Sequence, residues 1–324
     1  MRAIIPVAGV GSRLRPHTYT IPKVLLNVAG KPIIGHILDK LIESGFTSAT
    51  IIVGYLGDLV KDYVRKNYTI EVDFVEQEER HGLGHAIYLS RHTISREPVL
   101  IILGDTIFDV DLVSMCKSET SSIGVKEVDD PRKFGVAELQ NGFIKNLVEK
   151  PDEPKSNLAL IGLYYIKNPE LMLDCLREII SNNQRTKGEF QLTDGLQLMI
   201  TRGEKISVFK IDGWFDCGSP ETLLSTNKHL LNQINQNEKI DGVVIVPPVF
   251  IASDAKISNS VIGPNTTIAS GAIVNESIIK NSIVSEKAKV SNAMLEDSII
   301  GTNAIISGGY KRINIGDSSE LEYY

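Results

Sequence analysis

Short apolar runs alternate with stretches of helical periodicity through the first part of the chain. Runs that predict buried strands lie at residues 3–8, 49–53, 72–75 and 99–103. After the first run, apolar residues recur at helical spacing from Ile34 to Ile42, and Gly45 predicts the end of that helix. This alternation predicts a Rossmann-like, doubly wound α/β domain, whose ligands bind at the carboxyl ends of its strands.

The alternation continues less regularly along the next part of the chain. Further strands are predicted at residues 134–139, 144–148 and 160–166, and helices at 170–180 and 192–200. A polar, Asn-rich stretch at 232–239 predicts a linker. We therefore expect a first domain at residues 1–231, a linker at 232–245 and a second domain at 246–324.

After the linker the pattern changes to a short repeat. An isoleucine, valine or leucine recurs at positions 251, 257, 262, 268, 274, 279, 284, 290, 295, 300 and 306. Small and polar residues lie between them, which is typical of a solenoid that stacks short parallel strands. The repeat resembles the hexapeptide repeat of left-handed parallel β-helices and predicts roughly three coils. Such a prism commonly packs one face against another subunit, so we expect a homo-oligomer.

Glycines and cations follow the first predicted strand. Gly9 and Gly11 let the backbone turn sharply and bring its N–H groups close to phosphate oxygens. Arg13 and Arg15 offer planar forks of donors that match phosphate, and Lys23 adds a mobile charge. Because this loop begins where a strand ends, it predicts a site for a nucleoside triphosphate.

Two better-known glycine patterns are excluded for this loop. No Gly-Lys-Ser/Thr follows Gly9 at the distance that a Walker loop needs, and Leu14 stands at the third glycine of a dinucleotide fingerprint. The whole string comprises GVGSRLRP at 9–16, Thr18, Pro22-Lys23, Leu25-Leu26 and Lys31-Pro32. This string closely resembles the signature of the sugar-1-phosphate nucleotidyltransferases.

Composition narrows the class of partner and the compartment. The chain has 324 residues, of which 42% are hydrophobic, and its net charge of -6 argues against a general nucleic-acid binder. Cys116, Cys175 and Cys217 are odd in number and lack C-x-x-C spacing, which favours reduced thiols over disulfides or a zinc site. Without a signal peptide or an apolar run of about 18 residues, we expect a cytoplasmic protein with no membrane partner.

The resemblance implies which residues bind the nucleotide. They are Ala8, Gly9, Gly11, Ser12, Arg13, Gln77 and Gly82. The stretch EQEERHGLGHA at 76–86 resembles the base-reading segment of the family, in which the Gln77 amide presents a donor and an acceptor to a pyrimidine. Arg13 and Lys23 are implied to be catalytic because they bring positive charge to the phosphates.

The resemblance also implies a sugar-phosphate site and a metal site. Sugar-phosphate contacts are implied for Asp105, Gly135, Glu149, Lys150 and Gly162, and metal ligands for Asp105 and Asp216. In this picture Lys150 neutralises the phosphate and Glu149 accepts hydrogen bonds from the hexose. Mg²⁺ is the expected cofactor, since it keeps several waters and one or two aspartates suffice to bind it. Thr106 replaces the Asn of many thymidylyltransferases, which leaves the hexose open.

The implied reaction is attack of a sugar 1-phosphate oxygen on the α-phosphorus of dTTP or UTP, with release of pyrophosphate. Residues 5–9 and 82–86 are similar to glucose-1-phosphate uridylyltransferases. Residues 103–108 and the β-helix are similar to long glucose-1-phosphate thymidylyltransferases. We expect glucose 1-phosphate as acceptor, with dTTP as the first choice and UTP as the alternative.

Two other functions are weighed against this one. A β-helix domain also occurs in bifunctional enzymes with an acyltransferase, which use a histidine base, but the chain has no histidine beyond His229. A non-catalytic sensor of nucleotide-sugars would not need metal ligands and phosphate-binding cations at once. His81 and His85 could pair on a helix as metal ligands, but the glycines at 82 and 84 argue against a regular helix there.

Overall fold

The structure is a computed structural model that describes residues 1–211, 213–234 and 239–308. The chain divides into two compact units, Met1–Asn27 with Lys31–Thr226 and Val28–Gly30 with Asn227–Tyr324. Residues 235–238 of the predicted linker and 309–324 of the predicted second domain lie outside the described residues. In the described ranges, no helix has both the length and the apolar character that crossing a membrane requires.

The elements up to Leu231 are numbered in chain order. Strands β1–β13 are Arg2–Pro6, Asn27–Val28, Lys31–Pro32, Ser48–Val53, Glu71–Glu76, Val99–Ile102, Thr106–Asp109, Ser121–Glu127, Gly135–Gln140, Phe143–Glu149, Leu158–Ile166, Ile206–Lys210 and Gly213–Asp216. Helices α1–α7 are Ile33–Glu43, Gly57–Asn67, Leu83–Leu89, Leu112–Met115, Pro169–Ser181, Leu192–Thr201 and Pro220–Leu231. Short 3₁₀ helices lie at Ser12–Leu14, His17–Tyr19, Lys23–Leu25, Ser90–Thr93 and Pro131–Lys133.

A mixed sheet is the framework of the first unit. Among the described residues it has nine strands, in the order β5-β4-β1-β6-β11-β8-β12-β10-β9. β1 pairs in parallel with β4 on one side and with β6 on the other. From β1 the chain adds β4 and β5 on one side of β1 and then β6 on the other side, so the strand order reverses at β1. The carboxyl ends of β1 and β6 form the crevice where such sheets bind ligands. The predicted α/β fold is confirmed, although β11 runs antiparallel to β6 and makes the sheet mixed.

Amphipathic helices cover this sheet. α1 buries Ile34, Leu38 and Leu41, and the Gly45 N–H that follows the helix donates to the Ile42 carbonyl, as predicted for a helix end. The predicted helices at 170–180 and 192–200 are α5 and α6, whose apolar side chains join the main core. Each large apolar side chain buried there contributes about 1.5–3 kcal/mol to folding.

Three parallel sheets make up most of the second unit. Strands β14–β25 are Val243–Ile245, Val249–Ile251, Lys256–Ser258, Ser260–Ile262, Thr266–Ile268, Ile273–Asn275, Ile278–Lys280, Ile283–Val284, Lys289–Ser291, Met294–Glu296, Ile299–Ile300 and Ile305–Ser307. The sheets are β14-β17-β20-β23, β15-β18-β21-β24 and β16-β19-β22-β25. Because the chain visits the three sheets in turn, the predicted β-helix architecture is confirmed.

The β-helix has more rungs than its sequence suggested. In the described residues each sheet has four strands, against roughly three coils predicted. The first rung begins at Val243, in residues predicted as linker, and its apolar pattern is too short to stand out from the linker. Ile262 pairs with Ile279 and Ile279 with Leu295, so these coils are 17 and 16 residues long rather than about 18. The apolar positions of the predicted repeat point inward and form the core of the prism.

Polar corner residues tie each coil to the next one. The corners include asparagines with positive φ, a conformation that Asn tolerates better than most residues. Asn265 Nδ2 donates to Asn281 Oδ1 at 2.7 Å, one coil further along. Ser260 Oγ likewise accepts from the Ser277 N–H, and Ser277 Oγ from the Ala293 N–H. The corners therefore form hydrogen-bonded stacks along the prism.

Candidate active site

A two-stranded ribbon brings the predicted metal ligands together. Strand β7 starts directly after Asp105, and β13 ends at Asp216, which pairs with Thr106 across the antiparallel ribbon. The Cys217 N–H donates to the Asp105 carbonyl at 2.9 Å and closes the end of the ribbon. The Thr106 hydroxyl donates to Asp105 Oδ1 at 3.2 Å. Two aspartates far apart in the sequence are thus held at one end of one ribbon.

Two carboxylates and two cations lie together in this cluster. Lys23 is 8% exposed, and its Nζ lies 2.9 Å from Asp105 Oδ2. Burial raises the pKa of Asp216 and the charge of Asp105 raises it further, while Lys23 and Arg13 lower it. The described residues contain no group of three or more His, Cys, Asp or Glu side chains that could hold a metal. Two repelling carboxylates nevertheless fit Mg²⁺, which takes its other ligands from water and phosphate.

The glycine-rich loop packs closely beside the two aspartates. Gly11 has a φ of +61°, and a Cβ there would lie 3.0 Å from side-chain atoms of both Lys23 and Thr18. The Thr18 hydroxyl donates to the Gly11 carbonyl at 2.8 Å and holds the turn. Ser12 and Arg13 follow in an exposed 3₁₀ helix. The loop therefore has its glycine where a side chain would displace Lys23.

Arg13 and Asp216 converge on a second glycine. A Cβ on Gly218 would lie 2.7 Å from Arg13 Nη2 and 2.6 Å from Asp216 Oδ2. The guanidinium of Arg13 is therefore next to the carboxylate pair. Arg15, which the sequence grouped with Arg13, instead places its guanidinium over the Tyr19 ring, 4.9 Å from the centroid.

A cleft of about 410 Å³ opens at the carboxyl ends of β1 and β6. Six predicted site residues line it: Ala8, Gly9, Lys23, Gln77, Gly82 and Asp105. No atom lies within 4 Å of a Cβ placed on Gly9, so the backbone there faces open space. Arg80 and Glu189 also line the cleft, and the sequence had not singled them out. The cleft is large enough for a nucleotide.

The base loop, residues 77–82, forms one wall of the cleft. Gln77 is 6% exposed, and its Nε2 donates to the Gly82 carbonyl at 3.1 Å. With the amide nitrogen directed at a carbonyl, the Oε1 is the acceptor that this side chain offers.

The expectation of no regular helix that carries both His81 and His85 is confirmed, since α3 starts only at Leu83, although Gly84 lies within it. The φ of Gly82 is +106°, a conformation that most other residues avoid, so the position just before the helix favours a glycine. His81 precedes α3 and His85 lies within it, with ring centroids 5.2 Å apart. Sequence reasoning treated both glycines as helix breakers, whereas one of them marks the helix start.

Two of the predicted sugar-phosphate residues, Lys150 and Gly135, lie beside Glu149 at the end of β10. Glu149 Oε1 lies 3.4 Å from Lys150 Nζ, and a Cβ on Gly135 would lie 3.0 Å from Glu149 Oε2. Gly162, with a φ of +85°, accepts a hydrogen bond from the Leu103 N–H at 2.9 Å. Leu103, which lies two residues before Asp105, is thus held against β11, the strand that contains Gly162.

Sequence reasoning missed Thr193, the second residue of α6. Its hydroxyl donates to Glu149 Oε2 at 2.7 Å, and the residue is 4% exposed. The two residues are 44 positions apart in the sequence, and only the fold brings them together. No motif on either side signals the pairing.

Thr193→Val should raise the KM for the sugar phosphate about tenfold, since a hydrogen bond to a charged group contributes roughly 1.5 kcal/mol. The KM for the nucleotide should change little. Steady-state kinetics with each substrate varied in turn measure both values. The matched control is Thr201→Val on the same helix, whose hydroxyl bonds only to the Gln197 carbonyl. An unchanged KM for the sugar phosphate would contradict this role of Thr193.

These features define the protein as an enzyme that transfers nucleotidyl groups between phosphates. Gly9 of the glycine-rich loop and Asp105 line one cleft at the switch point of a doubly wound sheet, and Asp216 lies at the same end of the ribbon as Asp105. The chain belongs to the nucleotidyl transferase family, whose model matches residues 2–233. It is a sugar-1-phosphate nucleotidyltransferase. Enzymes of this family are typically metal-dependent.

Relatives extend the likeness over nearly the whole chain. The chain is 36% identical to the bifunctional protein GlmU of Methanococcus maripaludis, over 94% of this chain and 78% of that protein. It is 28% identical to a glucose-1-phosphate thymidylyltransferase of Streptomyces griseus, over 99% of each. Among solved structures, a UDP-glucose pyrophosphorylase complexed with UDP-glucose matches with a TM-score of 0.63 and 30% identity, over 72% of this chain and 99% of that one.

Proposed function

We propose that the enzyme transfers a thymidylyl or uridylyl group from dTTP or UTP to glucose 1-phosphate. A phosphate oxygen of the sugar phosphate attacks the α-phosphorus, the bond from that phosphorus to the bridging oxygen breaks, and pyrophosphate leaves with the electron pair. The observation that carries the proposal is the convergence of Lys23, Arg13 and two aspartates at the end of β6. These groups supply charge where it develops in the transition state.

Uracil or thymine fits the base loop better than cytosine. In both bases N3 carries a hydrogen, and the Gln77 Oε1 is oriented to accept it because the Nε2 is directed at the Gly82 carbonyl. Cytosine has an acceptor at N3, which would face this oxygen without a hydrogen. The names of the relatives support both pyrimidines, since one is a thymidylyltransferase and another is complexed with UDP-glucose. We place dTTP first and keep UTP as the alternative.

Glu149 and Lys150 are proposed to bind the sugar phosphate. Lys150 would neutralise the phosphate, and Glu149 would accept hydrogen bonds from hexose hydroxyls through its free lone pairs. Gly135 and Gly162 would let the hexose approach the backbone closely. Glucose is the proposed hexose by analogy with the named relatives.

Asp105 and Asp216 are proposed to hold Mg²⁺. When bound, the ion would supply charge stabilisation for the reacting phosphates. Lys23 orients Asp105 through its 2.9 Å ion pair, and Thr106 holds the other oxygen of the same carboxylate. Arg13 lies beside Asp216 and is proposed to contact the phosphates.

Pyrophosphate release tests the proposed reaction. The purified protein is supplied with Mg²⁺, glucose 1-phosphate and one nucleotide at a time: dTTP, UTP, CTP, GTP or ATP. Release with dTTP or UTP alone supports the proposal and identifies the base. Release only with a purine nucleotide or CTP would overturn the assignment of the base loop. No release with any nucleotide would favour a non-catalytic sensor or a different sugar phosphate.

An acyltransferase as a second activity is less well supported. The relative from Methanococcus maripaludis is named bifunctional, and the present chain spans 78% of it. A general base would have to be found in the β-helix, but the chain has no histidine beyond position 229. We therefore assign the β-helix, proposed as a domain at 246–324 after a catalytic domain at 1–231 and a linker at 232–245, to assembly rather than to chemistry. The protein is proposed to act in the cytoplasm.

An apolar stripe on the β-helix is the proposed interface between copies of the chain. Val244, Val261, Ile278 and Met294 lie in register on one sheet and point outward. Val244, Ile278 and Met294 are 59%, 41% and 80% exposed. The charges beside the stripe, Lys280 and Glu296, already pair with each other at 2.7 Å. A neutral apolar stripe of this kind fits a second copy of itself better than a charged partner.

Ile278→Lys should therefore lower the mass of the assembly measured by light scattering, because a charge in the apolar stripe opposes its burial. The matched control is Ile305→Lys, at a residue that is 72% exposed but belongs to a different sheet of the prism. The control should leave the mass unchanged. Equal masses for the unaltered protein and Ile278→Lys would contradict an interface through the stripe.

A further inference from the structure

One segment of the first unit touches both proposed substrate sites. This connecting segment, residues 185–193, runs from the cleft wall to the start of α6. The Phe190 N–H donates to the His81 carbonyl at 2.7 Å, and the Phe190 carbonyl accepts from the Gly84 N–H at 2.8 Å. Two short backbone bonds therefore clamp the end of the base loop and the start of α3 to a single residue.

The side chain of Phe190 strengthens this clamp. It is 4% exposed and packs against the rings of His81 and His85, with centroids 6.3 and 6.4 Å away. The guanidinium of Arg185 covers its face at 4.2 Å from the centroid. A Cβ on Gly82 would lie 2.6 Å from the Phe190 carbonyl oxygen, so the base loop has no room to move toward Phe190. Any shift of the base loop must be shared by Phe190.

The other end of the segment holds the proposed sugar-phosphate site. Thr193, three residues after Phe190, donates to Glu149 Oε2 at 2.7 Å. Earlier in the segment, Lys187 Nζ lies 3.0 Å from Asp152 Oδ1, close in sequence to Lys150. Only two residues separate Phe190 from Thr193, and helix α6 begins at the second of them, Leu192. Movement of Phe190 is therefore passed over a short distance to Glu149.

We propose that Phe190 is a positioning residue that couples the two substrate sites. A base seated against Gly82 fixes Phe190, and with it Thr193 and Glu149, so that a bound nucleotide tightens binding of the sugar phosphate. The coupling is reciprocal, because each ligand must change the affinity of the other by the same factor. This inference rests on the proposed assignment of the nucleotide to the base loop and of the sugar phosphate to Glu149.

Fluorescence of Trp214, the single tryptophan of the chain, gives the measurement. It packs edge to face on Phe134, 5.6 Å between centroids, beside Gly135 and close to the metal ligands. Glucose 1-phosphate is titrated with Mg²⁺ present, with and without saturating dTDP or UDP, which carry the base but lack the pyrophosphate leaving group. In the unaltered protein the nucleotide should lower the Kd of glucose 1-phosphate about fivefold or more.

Phe190→Ala keeps the two backbone bonds but removes the ring contacts with His81 and His85, so it should lower this coupling factor toward one while the Kd without nucleotide stays unchanged. Phe190→Leu refills most of the volume and should restore part of the factor, and it replaces the alanine variant if that one fails to fold. Phe143→Ala is the matched control, since Phe143 also packs against a cation, Lys205, but its backbone pairs with Gln140 and Ser207 rather than with the base loop. The control should keep the full factor.

Three results would overturn the coupling role. The first is a coupling factor near one in the unaltered protein, and the second is an unchanged factor in both Phe190 variants. The third is an equal rise of the glucose 1-phosphate Kd in Phe190→Ala with and without nucleotide, which would assign Phe190 a merely structural role. If neither nucleotide nor glucose 1-phosphate binds the unaltered protein, the proposed substrates fail instead, which the pyrophosphate assay reports independently.

Discussion

Asp216→Asn should lower kcat by about a thousandfold, because a metal ion contributes several kcal/mol of charge stabilisation and the amide is a poor ligand for it. The change keeps the shape of the side chain at the end of β13. Burial and, after it, the charge of Asp105 raise the pKa of Asp216, and the neutral amide avoids both unfavourable effects, so the fold should not suffer. The measurement is kcat as a function of Mg²⁺ concentration, and the Mg²⁺ requirement should move to higher concentration.

Asp109→Asn is the matched control for this result. Asp109 lies on the same ribbon, opposite Gly213 at the end away from the carboxylate pair, and it is exposed. Its replacement should leave kcat and the Mg²⁺ requirement unchanged. An Asp216→Asn enzyme with the Mg²⁺ affinity of the unaltered protein would contradict the assignment of the metal ligands.

Arg13→Ala should lower kcat about a hundredfold with a smaller effect on KM, as expected when a charge that acts mainly in the transition state is lost. Arg13→Lys should recover only part of the rate, because an ammonium group lacks the planar fork that matches phosphate. Full kinetics with the nucleotide and the sugar phosphate each varied separate the effects on kcat and KM.

Arg15→Ala, two residues along the same loop, is the control for Arg13. Its guanidinium stacks on Tyr19 rather than lying beside the aspartates, so its loss should change kcat less than about threefold. Equal losses in the two variants would mean that the loop acts through its net charge alone. Full activity of Arg13→Ala would remove Arg13 from the mechanism.

The sequence predicted those features that depend on local spacing. Buried strands such as β1 and β6 are short, mostly apolar runs, and the glycine-rich loop follows the first of them directly. The inward positions of the β-helix repeat at a nearly fixed interval, so periodicity alone finds them. Strand direction has no such signature, and the antiparallel course of β11 could not be predicted from its apolar run.

Contacts between segments that are distant in the sequence could not be predicted from it either. Thr193 and Phe190 look like ordinary residues at the start of a helix, and their partners Glu149 and His81 lie in other parts of the chain. The start of α3 was missed for a different reason. A glycine lowers helix propensity within a helix but is well suited to the strained turn before one, and the sequence does not separate these two uses.

Because of the corner stacks, the stability of each coil of the β-helix depends on the coils next to it. Each described coil is hydrogen-bonded to the coils beside it, through pairs such as Asn265 with Asn281 and Ser260 with Ser277. In such an array the free energy is a sum over adjacent rungs, and opening proceeds from an end where only one neighbour contributes. The rate of amide hydrogen exchange should therefore vary along the prism: it should be slowest in the central rungs around Ile262 and Ile279 and faster toward either end.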